Sequence, residues 1–233
     1  MATSSLDELV SAAEAEWLAR WTAGPTEGAG AGPREGATAP DLALLDHHGR
    51  ERTLSEFWSG GPALLLFWRH FGCACGIARA RQLEHDWSTY AAAGLRPVII
   101  AQGEPERAAA YRAEHGIRCT ILCDPDHIAY RAYGVGHWSV ERILADAPPE
   151  FWEHPAALGA DFQRERRAGG RPLVDDPWRA VKEVVIGPDG VIRLAYDPQF
   201  CEDLPNLRVL VAAARLAATR GRSEETAWDL RRR

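Results

Sequence analysis

The sequence predicts an α/β domain, and three observations lead to this fold class. Short apolar runs of strand length, such as ALLLFWR at 63–69, are continuous rather than alternating, which is typical of strands buried on both faces. Helical segments separate these runs at the spacing of parallel crossovers. Nearer the C-terminus, VKEVVIGPDGVIRLAY predicts two strands around a PDG turn. We therefore expect a central sheet flanked by helices.

The N-terminal part of the chain, residues 1–24, predicts an amphipathic helix. Its apolar residues recur at helical spacing through Trp21, and Ser5 with Glu8 forms a capping-box pattern in front of them. We expect this helix to pack on its own domain or on a sister subunit, so a homodimer is one expected arrangement. Residues 25–38 are rich in Gly, Ala and Pro, cannot bury a face, and are predicted to form a linker.

The core domain is predicted over residues 39–220, followed by a polar tail at 221–233. An alternating segment at 42–54, around a Gly-containing turn, predicts either a short hairpin or a strand that leads to a helix start. His47 and His48 lie in that turn, and we expect them to be solvated, since no third metal ligand follows at a recognisable spacing. The other core elements are predicted, in chain order, as a strand at 63–69, a helix at 76–94, a strand at 95–102, a helix at 104–116, a strand at 118–124, a short helix at 125–135, the hairpin at 181–196 and a helix from 206.

Charge and cysteine content exclude several classes of function. The 233 residues carry a formal net charge of -6, so no broad cationic surface is expected for nucleic acid or an anionic membrane. No apolar stretch approaches the roughly 20 residues of a membrane span and no signal-peptide pattern is present, so we expect a cytoplasmic protein.

The five cysteines are odd in number and irregularly spaced, which favours reactive thiols over a disulfide framework. Cys119 and Cys123 flank a predicted strand about 13 Å apart and are expected to be small core residues.

The segment FWRHFGCACG at 67–76 contains the candidate active site. Cys73 and Cys75 follow a predicted buried strand and precede a predicted helix. Backbone N–H groups and the helix dipole favour an anion at such a helix start, so the position lowers a thiol pKa and favours a thiolate nucleophile. Arg69 and His70 add positive charge nearby. Cys73 is therefore the predicted nucleophile.

Four segments occur along the chain in a recognisable order: APDLALLDHHGRERTLSEF, FWRHFGCACGIARARQLE, ILCDPDHIAYRAYGVG and EVVIGPDGVIRLAYDP. Together they resemble the peroxiredoxin-like branch of the alkyl hydroperoxide reductase/thiol-specific antioxidant (AhpC/TSA) superfamily over roughly residues 39–218. The resemblance implies a thioredoxin-like fold, a central mixed sheet flanked by helices, with an insertion at about 137–179 before the C-terminal hairpin. Because the insertion would lie near the mouth of the active site, we expect it to shape a substrate pocket or a dimer contact, with aromatic core filling as the alternative.

The same resemblance implies a thiol oxidoreductase of peroxiredoxin-like type that needs no cofactor. Cys73 would attack a small-molecule peroxide or a disulfide, and Cys75 would resolve the oxidised Cys73. A thiol donor would supply the electrons, because the sequence shows no dinucleotide fingerprint. The other site residues would provide charge or contact the substrate: Arg69, His70, Trp68 and Phe71.

The chain departs from the family pattern at several positions. Members of the branch often carry C-x-x-C here, but Gly76 takes the place of the second cysteine and Cys75 lies one residue early. Residues two apart on a helix point about 200° from each other, so we expect a Cys73–Cys75 disulfide only if the helix begins after Cys75. True peroxiredoxins hold the peroxide with residues at three positions, and this chain departs from the family pattern at each of them. The corresponding positions here are His70, Leu66 and the region of Val181, which has Arg179 and Lys182 beside it.

Other hypotheses for the cysteines stay open. Cys73, Cys75 and His70 supply ligands suited to copper(I) or zinc, so a metal-binding protein is the second hypothesis. A biosynthetic enzyme that repurposed the fold is the third. Cys201 precedes the last predicted helix in a loop, and it is either an isolated thiol or a thiol that resolves oxidised Cys73.

Overall fold

The computed structural model covers most of the chain and describes residues 2–28, 30–143, 154–168, 175–201 and 203–217. The predicted polar tail and two parts of the predicted insertion, residues 144–153 and 169–174, lie outside the described residues. None of the described helices is both long and apolar enough to cross a membrane.

The predicted strands and helices occur in the predicted order, and the structure adds helices at Val140–Ile143 and Pro155–Ala168 that the sequence did not predict. The strands are β1 (Ala43–Asp46), β2 (Glu51–Thr53), β3 (Ala63–Phe67), β4 (Arg96–Ala101), β5 (Thr120–Cys123), β6 (Lys182–Ile186) and β7 (Ile192–Tyr196). The helices are α1 (Ala2–Ala23), α2 (Ser55–Trp58), α3 (Ala74–His85), α4 (Trp87–Ala92), α5 (Pro105–Glu114), α6 (Ile128–Ala132), α7 (Val140–Ile143), α8 (Pro155–Ala168) and α9 (207–217). The single helix predicted at 76–94 is instead the pair α3 and α4, because Asp86 leaves helical geometry between them.

The described strands form one mixed sheet, which confirms the predicted fold class. Their order across the sheet is β2-β1-β5-β4-β3-β6-β7. The β3–β4 and β4–β5 pairs are parallel, and the pairs on either side of them are antiparallel. Helices cover both faces of this sheet, and the two faces carry separate apolar cores.

The central strand β3 is buried on both faces. Because successive strand residues point to opposite faces, Leu65 and Phe67 join one core while Leu64 and Leu66 join the other. This explains the unbroken apolar run in the sequence. The loop at 68–72 leads from the carboxyl end of β3 to the start of α3, where the candidate cysteines lie.

Helix α1 packs against the predicted insertion through a tryptophan cluster. The rings of Trp17 and Trp21 stack with their centroids 5.2 Å apart, and Trp21 stacks on Trp178 at 4.9 Å. The helix therefore packs on its own domain, which was one of the two expected arrangements. The predicted capping box is wrong, because α1 begins at Ala2 and Ser5 lies inside the helix.

The segment predicted as a linker, residues 25–38, makes specific hydrogen bonds to the core, and we call it the strap. The backbone N–H groups of Thr26 and Glu27 both donate to Nδ1 of His137, each at 3.1 Å. Nε2 of His137 therefore carries the ring hydrogen and donates it to Asp176 at 2.7 Å. Composition predicts only that the strap buries no side-chain face, whereas these contacts use its backbone.

The first hairpin and two of the cysteines lie where the sequence predicts them. β1 and β2 pair antiparallel, and His48 in their turn is exposed. His47 is buried, contrary to prediction, because its ring packs beside β5 and its Nδ1 lies 3.3 Å from a backbone nitrogen of that strand. Cys119 and Cys123 are buried free thiols of the core, as expected.

One charged pair lies inside the core beneath α3. Glu183 of β6 is the register partner of Leu66 in β3, and Arg79 of α3 donates to both of its carboxylate oxygens, at 2.7 and 2.8 Å. Each side chain is 4% exposed. Burial raises the pKa of the Glu183 carboxyl, and the Arg79 charge opposes that rise. Removal of either partner would leave the other group buried without compensation.

We expect Arg79→Met to lower the free energy of unfolding by about 3–5 kcal/mol, because Glu183 then stays buried without its partner. The double variant Arg79→Met/Glu183→Leu should recover most of this loss, since neither charge remains in the core. Urea unfolding followed by tryptophan fluorescence measures both effects.

The control for this experiment is Arg164→Ala, which breaks an exposed pair with Asp161 on α8. It should change the free energy of unfolding by less than about 0.5 kcal/mol. Equal losses in the single and double variants would contradict the importance of the pairing.

Candidate active site

Cys73 occupies the N-cap position of α3, before its first helical residue. The helix begins at Ala74, and Cys73 has φ -81° and ψ 127°, the extended backbone of an N-cap residue. The side chain of an N-cap residue points over the first helical turn, where unpaired N–H groups and the helix dipole favour an anion. Cys73 therefore lies at the strand-to-helix junction that the sequence predicts for the nucleophile.

A disulfide joins Cys73 to Cys75, with their Cα atoms 5.3 Å apart. We expected this bond only if the helix began after Cys75, and that expectation was wrong. The angle of about 200° applies to two helical residues, whereas the extended backbone of Cys73 directs its side chain back toward Cys75 in the first turn.

Arg69 brings a buried positive charge to the sulfur atoms. The residue is 6% exposed, and its Nη1 lies 3.5 Å from Sγ of Cys73. The same nitrogen lies 3.4 Å from Sγ of Cys201. A hydrogen bond from a guanidinium to an ionised acceptor is stronger than one to a neutral acceptor, so Arg69 favours a thiolate at reduced Cys73.

Backbone carbonyl groups hold Arg69 in this position. Nε donates to the carbonyl of Arg179 at 3.3 Å, and Nη2 donates to the carbonyl of Pro177. Both carbonyls come from the C-terminal end of the predicted insertion and its junction with β6. This part of the insertion therefore reaches the site, while its role in a substrate pocket or a dimer contact stays a prediction.

A second layer of hydrogen bonds fixes the loop that carries Arg69. Nε2 of Gln102 donates to the carbonyl of Arg69, and Oε1 of Gln102 accepts from the backbone N–H of Asp176 at 2.9 Å. His127 donates from Nε2 to the same Oε1 at 2.9 Å, and its Nδ1 accepts from Arg179 at 2.9 Å. Burial lowers the pKa of His127 to about 4, so the ring is neutral at neutral pH and can fill both roles.

Cys201 lies at the site rather than alone in a loop. The Sγ atoms of Cys73, Cys75 and Cys201 all lie within 4.8 Å of one another, and we call them the three-sulfur group. Cys75 and Cys201 also line a common cavity of about 20 Å³, which is enough for about one water molecule. The interpretation of Cys201 as an isolated thiol is therefore wrong.

The other predicted site residues differ in their relation to this cavity. Trp68 is buried and lines it. Phe71 lies outside it and stacks on Tyr111, with ring centroids 4.6 Å apart. His70 is half-buried and is not a member of the three-sulfur group. Trp68 therefore fits the predicted role of a small-molecule contact better than Phe71 does.

The basic residues beside Val181 are engaged elsewhere. Arg179 pairs with Glu27 of the strap at 2.6 Å. Lys182 pairs with Asp197 at 2.7 Å. The positive charge at the sulfur atoms comes instead from Arg69.

Sequence reasoning missed the groups that position Arg69, namely Gln102 and the backbone of Pro177 and Arg179. Gln102 directly follows β4. A polar residue at the carboxyl end of a central parallel strand is a signal for a site residue, because ligands of α/β sheets bind at that edge. The two carbonyl contacts carry no comparable signal, since any residue supplies a carbonyl.

Comparison with known proteins agrees with this geometry. A family model described as AhpC/TSA family matches residues 36–156, just over half of the chain. Thioredoxin-like protein AAED1, chloroplastic, from Arabidopsis thaliana is 29% identical over 109 residues, which are 47% of this chain and 44% of that protein. The match thus spans less than half the length of this relative.

Several solved structures share the fold. The peroxiredoxin-like protein from Aquifex aeolicus has a TM-score of 0.57 at 11% identity, covering 83% of this chain and 92% of that chain. Peroxidoxin BcpB from Mycobacterium tuberculosis has a TM-score of 0.55 at 16% identity, covering 78% and 97%. The reduced 2-Cys peroxiredoxin from Plasmodium vivax has a TM-score of 0.54 at 13% identity, covering 83% and 99%. These matches confirm the predicted thioredoxin-like fold.

We expect Arg69→Met to slow the alkylation of reduced Cys73. The substitution keeps an extended side chain but removes the guanidinium beside the sulfur, so the thiolate loses a charged hydrogen-bond donor. The pH midpoint of iodoacetamide labelling should rise by about one unit, and the rate near neutral pH should fall about tenfold. Mass spectrometry of the peptide that carries Cys73 measures the rate.

Arg81→Met is the matched control, because it removes the same charge from an exposed position on α3. It should leave the labelling rate within about twofold of wild type, since solvent and salt screen an exposed charge. Equal labelling rates in the two variants would show that the contact with Arg69 does not favour the thiolate.

Proposed function

The chain belongs to the AhpC/TSA family, and from this premise we propose that it is a thiol-dependent oxidoreductase in which Cys73 is the nucleophile and Cys75 the first resolving thiol. One observation carries the proposal. The Sγ of Cys73 lies at the N-terminus of α3, beside the buried charge of Arg69 and within disulfide reach of Cys75. This combination supplies a stabilised thiolate together with a partner that can resolve it.

With a peroxide as substrate, the Cys73 thiolate attacks one peroxide oxygen and the O–O bond breaks. The other oxygen takes up a proton and leaves as water or an alcohol, while Cys73 becomes a sulfenic acid. The Cys75 thiolate then attacks Sγ of Cys73, the S–O bond breaks, and the hydroxide leaves as water after taking up a proton. A thiol donor returns two electrons to the resulting disulfide.

With a disulfide as substrate, the Cys73 thiolate attacks one substrate sulfur and the other sulfur leaves as a thiolate. Cys75 then attacks Sγ of Cys73 in the mixed disulfide and releases the second substrate sulfur. The substrate is reduced by two electrons, and the protein ends in the same Cys73–Cys75 disulfide. Because both substrate classes lead to the same disulfide, one experiment can test both of them.

Reduced protein should lose two thiols when it reacts with one equivalent of hydrogen peroxide or of oxidised glutathione. The faster of the two reactions identifies the substrate class. Cys75→Ser/Cys201→Ser should stop at a trapped Cys73 species, a sulfenic acid with peroxide or a glutathione adduct with the disulfide, because neither neighbouring thiol remains to resolve it. Free-thiol titration and intact mass measure these products.

Cys119→Ala is the matched control, because it removes a cysteine of the buried core and should leave both reactions unchanged. Cys73→Ser should abolish both reactions. Oxidation of Cys73→Ser at the wild-type rate would overturn the proposal.

The three-sulfur group favours a second candidate function, the binding of copper(I) or zinc. Reduced Cys73, Cys75 and Cys201 supply three thiolate ligands of the type that these metals prefer. Arg69 would offset part of the negative charge that three thiolates carry. This ligand set replaces the one predicted from the sequence, in which His70 was the third ligand.

Reduced protein should retain one equivalent of zinc or copper(I) through a desalting column if this second candidate is correct. We expect Cys201→Ser to weaken the metal affinity at least about tenfold, because one of three ligands is lost. His70→Ala should leave the affinity unchanged. Metal retained by Cys201→Ser but lost from His70→Ala would exclude the three-sulfur site and restore the predicted ligands.

A further inference from the structure

The third cysteine of the site lies beside the same cavity as Cys75. Both residues line this cavity together with Val181 and Leu204, and their sulfur atoms are within 4.8 Å of each other. Cys201 occupies a turn after β7 and is half-buried, so its sulfur is partly accessible to solvent. A free thiol at this distance from a disulfide is placed for thiol–disulfide exchange.

Arg69 contacts two of the three sulfur atoms through one nitrogen. Its Nη1 lies 3.4 Å from Sγ of Cys201 and 3.5 Å from Sγ of Cys73. While Cys73 and Cys75 are joined, Arg69 is therefore beside the sulfur that stays free. If Cys75 were joined to Cys201 instead, the free sulfur would be Cys73, which also lies beside Arg69. In either state the free sulfur thus lies beside the same buried cation.

Resting on the proposed function, we propose that Cys201 is a second resolving thiol that takes Cys75 from the Cys73–Cys75 disulfide and frees Cys73 for another reaction. The geometry favours attack on Cys75 because the leaving sulfur is then Cys73. That sulfur has both the N-terminus of α3 and Arg69 to hold its negative charge.

The exchange balances without any further reactant. Cys201 first releases its proton to solvent, and its thiolate attacks Sγ of Cys75. The Cys75–Cys201 bond forms, the Cys73–Cys75 bond breaks, and the electron pair stays on Sγ of Cys73 as a thiolate. No net electrons are transferred, because one disulfide replaces another.

This exchange gives the protein a capacity that two cysteines alone lack. With Cys75 and Cys201 joined, the free Cys73 thiolate can accept a second equivalent of oxidant before any donor arrives. A chain with Cys73 and Cys75 only would have no nucleophile left after the first equivalent. Wild type should therefore consume two equivalents of peroxide, whereas Cys201→Ser should consume one.

Peptide mapping can detect the exchange, because trypsin separates the cysteines in a useful way. Cys73 and Cys75 share the peptide 70–79, HFGCACGIAR, and Cys201 lies in the peptide 194–208, LAYDPQFCEDLPNLR. A Cys73–Cys75 disulfide stays within one peptide, whereas a Cys75–Cys201 disulfide links the two. Fragmentation between Cys73 and Cys75 shows which of them carries the link.

Reduced full-length protein is oxidised with one equivalent of diamide, a thiol-selective oxidant, and free thiols are blocked with N-ethylmaleimide at acidic pH before digestion. We expect linked peptides with the bond on Cys75 and the blocking group on Cys73, and at least about a twofold loss of blocked Cys201. Cys201 that is fully blocked, with the disulfide confined to peptide 70–79, would overturn the proposal. A link through Cys73 would overturn it equally, because Cys73 would then not be freed.

The second readout uses peroxide and dimedone, which labels sulfenic acids. After two equivalents of hydrogen peroxide, Cys73 should carry dimedone in wild type and in the control Cys119→Ala, but not in Cys201→Ser.

The two proposals fail in different ways. If diamide gives the linked peptides while peroxide leaves every thiol intact, the exchange stands and the peroxide route falls. If diamide forms no disulfide at these cysteines, the proposed function falls and the exchange falls with it.

Discussion

The candidate site depends on the burial of one guanidinium group. A cation that is 6% exposed requires partners that replace water, because an unpaired buried charge is strongly destabilising. The carbonyls of Pro177 and Arg179 accept from two nitrogens of Arg69, and the third nitrogen contacts Cys73 and Cys201. The guanidinium thus joins the insertion's backbone to the sulfur atoms of the site.

The hydrogen bonds that hold Arg69 in place also connect distant parts of the chain to the site. The loop carrying Arg69 is fixed by Gln102, which is hydrogen-bonded to His127. His127 in turn accepts from Arg179, and Arg179 pairs with Glu27 of the strap. A segment with the composition of a flexible linker therefore closes a hydrogen-bonded chain that ends at the active-site loop. The strap joins this chain through the Glu27 carboxylate and through the backbone N–H groups of Thr26 and Glu27, which donate to His137.

The sequence predicts the local features of the site and misses the long-range ones. The position of Cys73 follows from a buried strand that is directly followed by the start of a helix. Both the strand and the helix can be recognised from the spacing of apolar residues in the sequence. The contact between Cys201 and the other sulfurs could not be predicted in this way, since it depends on where the turn after β7 returns to the sheet. Arg69 illustrates both cases. Its closeness to Cys73 was predicted from a separation of four residues, whereas its carbonyl partners could not be predicted because they have no sequence pattern.

The shift of the second cysteine by one position has a structural explanation that also bears on Cys201. A Cβ at Gly76 would lie 3.3 Å from the Tyr111 hydroxyl and 3.6 Å from the Trp68 ring. A cysteine there would therefore be crowded by these two aromatic side chains. One residue earlier on the helix is a rotation of about 100°. Cys75 and Gly76 both line the cavity that also contains Cys201, but only the position of Cys75 avoids these aromatic rings. The C-x-C spacing therefore keeps the second sulfur within disulfide reach of Cys73 and within 4.8 Å of the third cysteine, at a position that the aromatic side chains leave open.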